Sequence, residues 1–105
     1  MGQKGIEKEI TAEKVEKYLG ITKKALDKVK ITESGKISWK EAAEDFLDMA
    51  QRYHSDAHYF MKKGDLINAF AAVNYAHGWL DAGARIGLFD VGKDNKLFTV
   101  DGEDR

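Results

Sequence analysis

Residues 64–89, GDLINAFAAVNYAHGWLDAGARIGLF, form an apolar stretch with helical character in the second half of a short chain. Between positions 66 and 87 only Asp81 and Arg85 carry a formal charge. A helix that is apolar on nearly every side is stable in water only when other elements cover it. The stretch therefore predicts a central helix, enclosed on both flanks, that holds a few polar side chains in the interior.

Apolar spacing and capping signals predict two helices before this stretch. The first is expected over residues 11–30, with Thr11 as its N-cap. The second is expected over residues 38–63, where Ser38 and Glu41 match a capping box. In such a box the two side chains satisfy each other's free backbone donors, so the start of the second helix is well marked.

The third helix is expected over residues 65–87, directly after a very short link. Gly64 suits the left-handed cap that ends one helix, and Asp65 suits the N-cap of the next. So short a link predicts an antiparallel αα-hairpin. For the tail, residues 88–105, a short strand and an extended docked arm both remain open. The prediction for residues 1–105 is a single all-α domain, an antiparallel three-helix bundle.

Composition narrows the classes of function. The net charge of −1 gives no support for bulk binding to nucleic acid or to a membrane surface. Without cysteine the chain has no disulfide framework, thiolate metal cage or cysteine nucleophile. No apolar run approaches the roughly 20 residues of a membrane span, and the polar start lacks the apolar core of a signal peptide. We expect a cytoplasmic protein with no cofactor, no nucleic-acid partner and no membrane partner.

Four polar side chains of the third helix form the candidate ligand-binding site: Asn74, His77, Asp81 and Arg85. One interpretation is a buried hydrogen-bonded network that fixes the register of the helices. The other is a small polar pocket that binds an anionic or hydrogen-bonding ligand. The first interpretation is favoured, because a polar residue on an apolar face is usually a hydrogen-bonded part of the core.

Histidine spacing raises a metal hypothesis. His54 and His58 are four residues apart on the second helix, as are His77 and Asp81 on the third. The tight turn should bring His54 close to His77, so His54, His77 and Asp81 are weak candidate ligands. His58 turns away from the centre of the helix seam, and no metal site is assigned.

Arg52 and His58 give a second, weaker chemical hypothesis. Their R-x5-H spacing resembles the catalytic signature of HEPN-type ribonucleases, which are also small helical proteins. Placement in the middle of a helix puts the two side chains on different faces. RNA processing through this pair is therefore a minor alternative.

Tyr75 and Trp79 are the candidate interaction surface. They lie on the side of the third helix opposite to the stripe that contains Leu66, Phe70 and Val73. One amphipathic helix does not fully cover such a side, and exposed aromatic residues are typical of protein interfaces. The leading hypothesis is a non-enzymatic protein-interaction or self-associating scaffold module. Its partner is expected to be a second copy of the chain, with a dimer favoured among homo-oligomers, or another protein.

Several segments together resemble a known family: YHSDAHYF at 53–60, KGD at 63–65, NYAHGWLDAG at 74–83 and GLF at 87–89. The pattern ITAEKVEKYL at 10–19 is also similar. The chain resembles the short archaeal proteins of domain-of-unknown-function family 357, over roughly residues 8–90. The resemblance implies a compact helical bundle from an archaeon. It implies no activity, cofactor or catalytic residue.

Overall fold

The computed structural model describes residues 9–32, 35 and 38–98. These residues form three helices and no strand: α1 (Ala12–Lys28), α2 (Trp39–Lys62) and α3 (Leu66–Arg85). The predicted all-α class is confirmed, and each helix boundary lies within two residues of its predicted position. Local signals suffice for this agreement, because caps and apolar spacing act within one or two helical turns.

Contacts divide the chain into two compact units, Met1–Lys36 and Ile37–Arg105. In the first unit, the Thr11 side chain accepts a hydrogen bond from the Lys14 backbone N–H at 3.1 Å and caps α1. An ion pair at 2.8 Å joins Lys23 to Asp27 one turn later. No residue of α1 is buried. Local interactions of this kind add only a few tenths of a kcal/mol to about 1 kcal/mol each. That the whole chain is one domain stays a prediction.

α2 begins with the predicted capping box. The Ser38 hydroxyl accepts from the Glu41 N–H at 3.2 Å, and the Glu41 carboxylate accepts from the Ser38 N–H at 3.2 Å. At the other end, the Gly64 N–H donates to Met61 O at 3.1 Å, and the Asp65 N–H donates to Phe60 O at 2.9 Å. Gly64 has φ +78°, the left-handed conformation that this Schellman ending requires.

Asp65 links the two helices of the hairpin. Its carboxylate accepts from the Asn68 backbone N–H at 3.1 Å and from the Asn68 side-chain amide at 2.6 Å. The residue is only 5% exposed. Because its backbone N–H closes α2 while its side chain opens α3, no residue is left over as a linker. The helices therefore turn back at once and pack antiparallel, as predicted.

Small residues form the contact between α2 and α3. Ala50 of α2 is 4% exposed, and Ala72 and Ala76 of α3 are 7% and 4% exposed. Small side chains let two helix axes approach closely, because little volume separates the backbones.

The prediction that α3 is enclosed on both flanks is wrong within the second unit, Ile37–Arg105. Leu66 is 64% exposed and Phe70 is 66% exposed. α2 lies against the alanine row of α3 and so covers only one side of a helix that is apolar nearly all round. The stripe that contains Leu66 and Phe70 is left open.

α3 ends in a second Schellman motif, at Gly87 with φ +82°. The Leu88 N–H donates to Gly83 O at 2.8 Å, and the Gly87 N–H donates to Ala84 O at 3.2 Å. The ring of Phe89 then folds back over Gly83. Through Phe98 the described tail consists of turns and bends with no strand.

Candidate functional site

The aromatic side of the hairpin contains the predicted interaction surface. Trp79 makes an edge-to-face contact with Phe46 of α2, with ring centroids 4.9 Å apart. Tyr75 makes another with Tyr53 of α2, at 4.4 Å. Aromatic pairs prefer this arrangement, and each contributes about 0.5–1.5 kcal/mol beyond the area it buries. The two rings are thus engaged by α2, although Tyr75 keeps about half of its surface exposed.

One polar atom on this side has no hydrogen-bond partner among the described residues. The indole Nε1 of Trp79 is buried and makes no hydrogen bond to the part of the chain that the structure describes. A buried donor without an acceptor costs about 1–3 kcal/mol. The edge-to-face contact with Phe46 acts against this cost.

The opposite side of the hairpin carries two adjoining apolar grooves. The groove near the turn has a volume of about 330 Å³ and is lined by Met61, Leu66 and Phe70 among others. The groove farther from the turn has a volume of about 270 Å³ and includes Leu47 and Leu80. We call this side the groove face and define it by six residues: Leu47, His54 and Met61 of α2, and Leu66, Val73 and Leu80 of α3.

His54 and Val73 line both grooves and mark the middle of the groove face. The side chains near the turn are the most open, since Met61, Leu66 and Phe70 are each about two-thirds exposed. Single exposed apolar residues are ordinary on a protein surface, but a contiguous patch marks a binding site or an interface.

His77 is the centre of the polar cluster. Its Nε2 lies 2.5 Å from the backbone oxygen of Leu97 and 3.7 Å from Oδ1 of Asp81. A carbonyl oxygen only accepts, so Nε2 is the nitrogen that carries the proton and donates. The ring of Phe98 lies 6.2 Å from the imidazole. His77 therefore fastens the tail to α3.

The other two members of the predicted polar site, Asn74 and Arg85, are exposed on α3. The structure thus brings His77 and Asp81 together beside the tail, and it places Asn74 and Arg85 at the surface. The partner that sequence reasoning missed is the Leu97 carbonyl. A backbone oxygen twenty residues away leaves no signal in the amino-acid pattern.

The histidines do not assemble a metal centre in the described residues. His54 and His58 lie edge to face with ring centroids 4.8 Å apart. No group of three His, Asp or Glu side chains that could hold a metal ion occurs among the residues that the structure describes, so His54, His77 and Asp81 form no such group. His54 and His58 instead line the apolar groove near the turn.

Arg52 and His58 occupy different faces of α2. The Arg52 guanidinium donates to the Asp48 carboxylate at 2.8 Å, in a surface region formed with Met49, Tyr53, Ser55 and Asp56. His58 lies on the groove face side. The two residues required for ribonuclease-like chemistry therefore lie on different faces of the helix.

These features define a small all-α protein organised on a helical hairpin. The family model described as "Protein of unknown function (DUF357)" matches residues 17–89, and the chain belongs to this family. The resemblance drawn from the sequence motifs is confirmed, while an archaeal source stays a prediction. No curated protein and no solved structure matches the chain significantly. Among the described residues, none of the helices combines the length and the apolar character needed to cross a membrane.

Proposed function

We propose that this protein is a non-enzymatic protein-interaction module, and that the groove face is its binding surface. The observation that carries the proposal is the row of open apolar side chains along the two grooves, including Met61, Leu66 and Phe70. Full burial of one such side chain is worth about 1.5–3 kcal/mol. A partner that covers several of them gains enough to offset much of the cost of association.

The shape of the groove face supports a helical ligand. Two antiparallel helices leave a long furrow between them, and an amphipathic helix or a second helical pair fits such a furrow by placing apolar residues into it. Few charged groups line the two grooves, so the surface offers mainly apolar contact. This composition suits a protein partner better than a nucleic acid, which requires clustered positive charge.

The groove face, rather than the surface around Tyr75 and Trp79, is the surface that we propose to bind the partner. Tyr75 and Trp79 already contact aromatic rings of α2, so a partner there gains less new contact. The small-ligand alternative at His77 and Asp81 receives less support, because the Leu97 carbonyl already occupies the donor of His77. The minor RNA-processing alternative is disfavoured by the separation of Arg52 and His58.

The test compares two exposed aromatic residues of the hairpin. Phe70 lies on the groove face side, and Tyr59, which is 57% exposed, does not line either groove. Fluorescently labelled wild type, Phe70→Ser and Tyr59→Ser would be followed by sedimentation velocity, both as purified protein and in an extract of the cells that naturally produce it. Circular dichroism confirms that all three are folded.

We expect wild type and Tyr59→Ser to sediment as a larger species in at least one of the two settings. Phe70→Ser should sediment as a single chain in both. A wild-type chain that stays single in purified form and in the extract would contradict the proposed function. Equal association of Phe70→Ser and wild type would contradict the assignment of the surface.

A further inference from the structure

The six residues that define the groove face are evenly spaced along the two helices. In α2 its members Leu47, His54 and Met61 are seven residues apart, and in α3 Leu66, Val73 and Leu80 are seven apart. Positions seven apart lie within about 20° of one another around a helix. Each helix thus presents a straight row whose middle member, His54 or Val73, lies where the two grooves meet.

The order of the lining residues in each helix can be reversed about the middle member, His54 or Val73. After this reversal, the lining positions of one groove coincide with those of the other. In α2, the reversal exchanges Met61 with Leu47, and every other lining residue of one groove falls on a lining residue of the other. In α3, it exchanges Leu66 with Leu80 in the same way. When a second copy is turned end to end over the first, the lining positions of its grooves therefore face those of the first copy. An isologous two-fold interface requires that such facing positions be complementary.

Side-chain size is complementary under this reversal. In α3, Phe70 is exchanged with Ala76, and His77 with Ala69. In α2 the two exchanged pairs are His58 with Ala50 and Gln51 with Ala57. Each pair joins a large side chain to an alanine. Phe70, His58 and Gln51 on one copy thus face alanine hollows on the other, while His77 is already bonded to the tail through Leu97. Alternation of large and small residues across facing positions is how tightly packed helical layers interdigitate.

We infer that the partner of the groove face is a second copy of this chain, bound antiparallel so that the two hairpins form a four-helix bundle. The two-fold axis lies between the two copies, perpendicular to the helices, and runs across His54 and Val73. Each of these residues then lies beside its own counterpart, α2 packs on α2, and α3 packs on α3. This inference rests on the proposed function and names the partner and the orientation.

Charge along α2 favours the antiparallel orientation. Its first half carries the acidic residues Glu41, Glu44, Asp45 and Asp48 against the single basic residue Lys40. Its C-terminal end carries Lys62 and is followed by Lys63. Antiparallel pairing brings the acidic half of one copy to the basic end of the other. Parallel pairing would place like charges side by side, which costs stability and selects against that arrangement.

Cross-linking through introduced cysteines tests the orientation, because the natural chain has none. In the full chain, His54→Cys places a thiol near the proposed axis, and a short bis-maleimide should join two copies efficiently. Val73→Cys repeats the test on α3 in case the first variant does not fold. Asp56→Cys is the control, since Asp56 lies outside both grooves and should give little cross-linked dimer.

Off-axis positions decide between antiparallel and parallel. Position 47 of one copy should lie at least about 21 Å from position 47 of the other, since fourteen helical residues rise about 1.5 Å each. Leu47→Cys alone should therefore not cross-link, whereas an equimolar mixture of Leu47→Cys and Met61→Cys should. Efficient self-linkage of Leu47→Cys, or the absence of linkage in the mixture, would overturn the inference.

The outcomes separate this inference from the proposed function. A purified wild-type chain that remains single at every concentration, but associates in the cell extract through Phe70, keeps the proposed function and overturns the two-fold dimer. A purified dimer that depends on Phe70 but fails the cysteine tests does the same. Dimerisation together with the expected cross-linking pattern supports both.

Discussion

Two glycines of α3 differ in what a methyl group would meet. A Cβ at Gly83 would overlap the ring of Phe89, whereas a Cβ at Gly78 has no atom within 4 Å. We predict that Gly83→Ala lowers the free energy of unfolding by about 1–3 kcal/mol, because the ring must move out of its packed position. Urea unfolding followed by circular dichroism measures the change.

Gly78→Ala is the matched control for that substitution. It should raise the free energy of unfolding by about 0.5–1 kcal/mol, since alanine restricts the unfolded chain and favours the helix. A loss of stability at Gly78, or none at Gly83, would show that the packing of the Phe89 ring on α3 is incorrectly described.

The polar residues of α3 differ in how much of their arrangement the sequence could predict. His77 and Asp81 could be paired from sequence because helical spacing of four residues brings two side chains to one face. The bond from His77 to the tail could not be predicted, since the acceptor is a main-chain oxygen. Arg85, placed in the same cluster by spacing alone, is exposed because α2 lies on another side of α3.

At the scale of elements, the hairpin depends on one junction residue. Asp65 is buried and accepts two hydrogen bonds from Asn68 while its backbone N–H closes α2. We predict that Asp65→Ala lowers the free energy of unfolding by about 1–2 kcal/mol, the usual cost of a lost N-cap. Thermal and urea unfolding of the variant measure this loss.

Asp65→Asn provides the comparison, because asparagine is also a good N-cap and keeps one acceptor oxygen. It should lose less stability than the alanine variant. If the two substitutions are equally costly, the cap bond to the Asn68 N–H contributes little, and the link between α2 and α3 is stabilised mainly by the glycine at position 64.

The packing of α3 is the element-scale feature that sequence patterns left undecided. Apolar residues lie on both sides of this helix, with Leu66 and Phe70 in one stripe and Tyr75 and Trp79 in the other. When a helix has no polar face, the distribution of its apolar residues does not specify which side a neighbouring helix will contact. Phe46 and Tyr53 of α2 contact the aromatic stripe, although Tyr75 stays about half exposed, and the aliphatic stripe remained open.

At the scale of the whole molecule, a dimer formed through the groove face makes stability depend on concentration. Each tenfold increase in chain concentration should add about 1.4 kcal/mol to the stability of the dimer relative to two unfolded chains. We therefore predict that Tm of the wild-type chain rises by several degrees over a hundredfold concentration range, as measured by calorimetry. For Phe70→Ser, Tm should not change with concentration. A constant Tm for both proteins would count against self-association.

The sequence by itself determined where the helices begin and end. N-terminal caps, C-terminal glycine caps and apolar spacing all act between residues that are close along the chain. Ser38, Gly64 and Asp65 each perform the role that their chemistry predicted. The tertiary structure alone decided which side of α3 meets α2, where the tail attaches and which apolar surface stays open. Those outcomes depend on how large and small side chains fit between distant segments, and no single residue pattern records that fit.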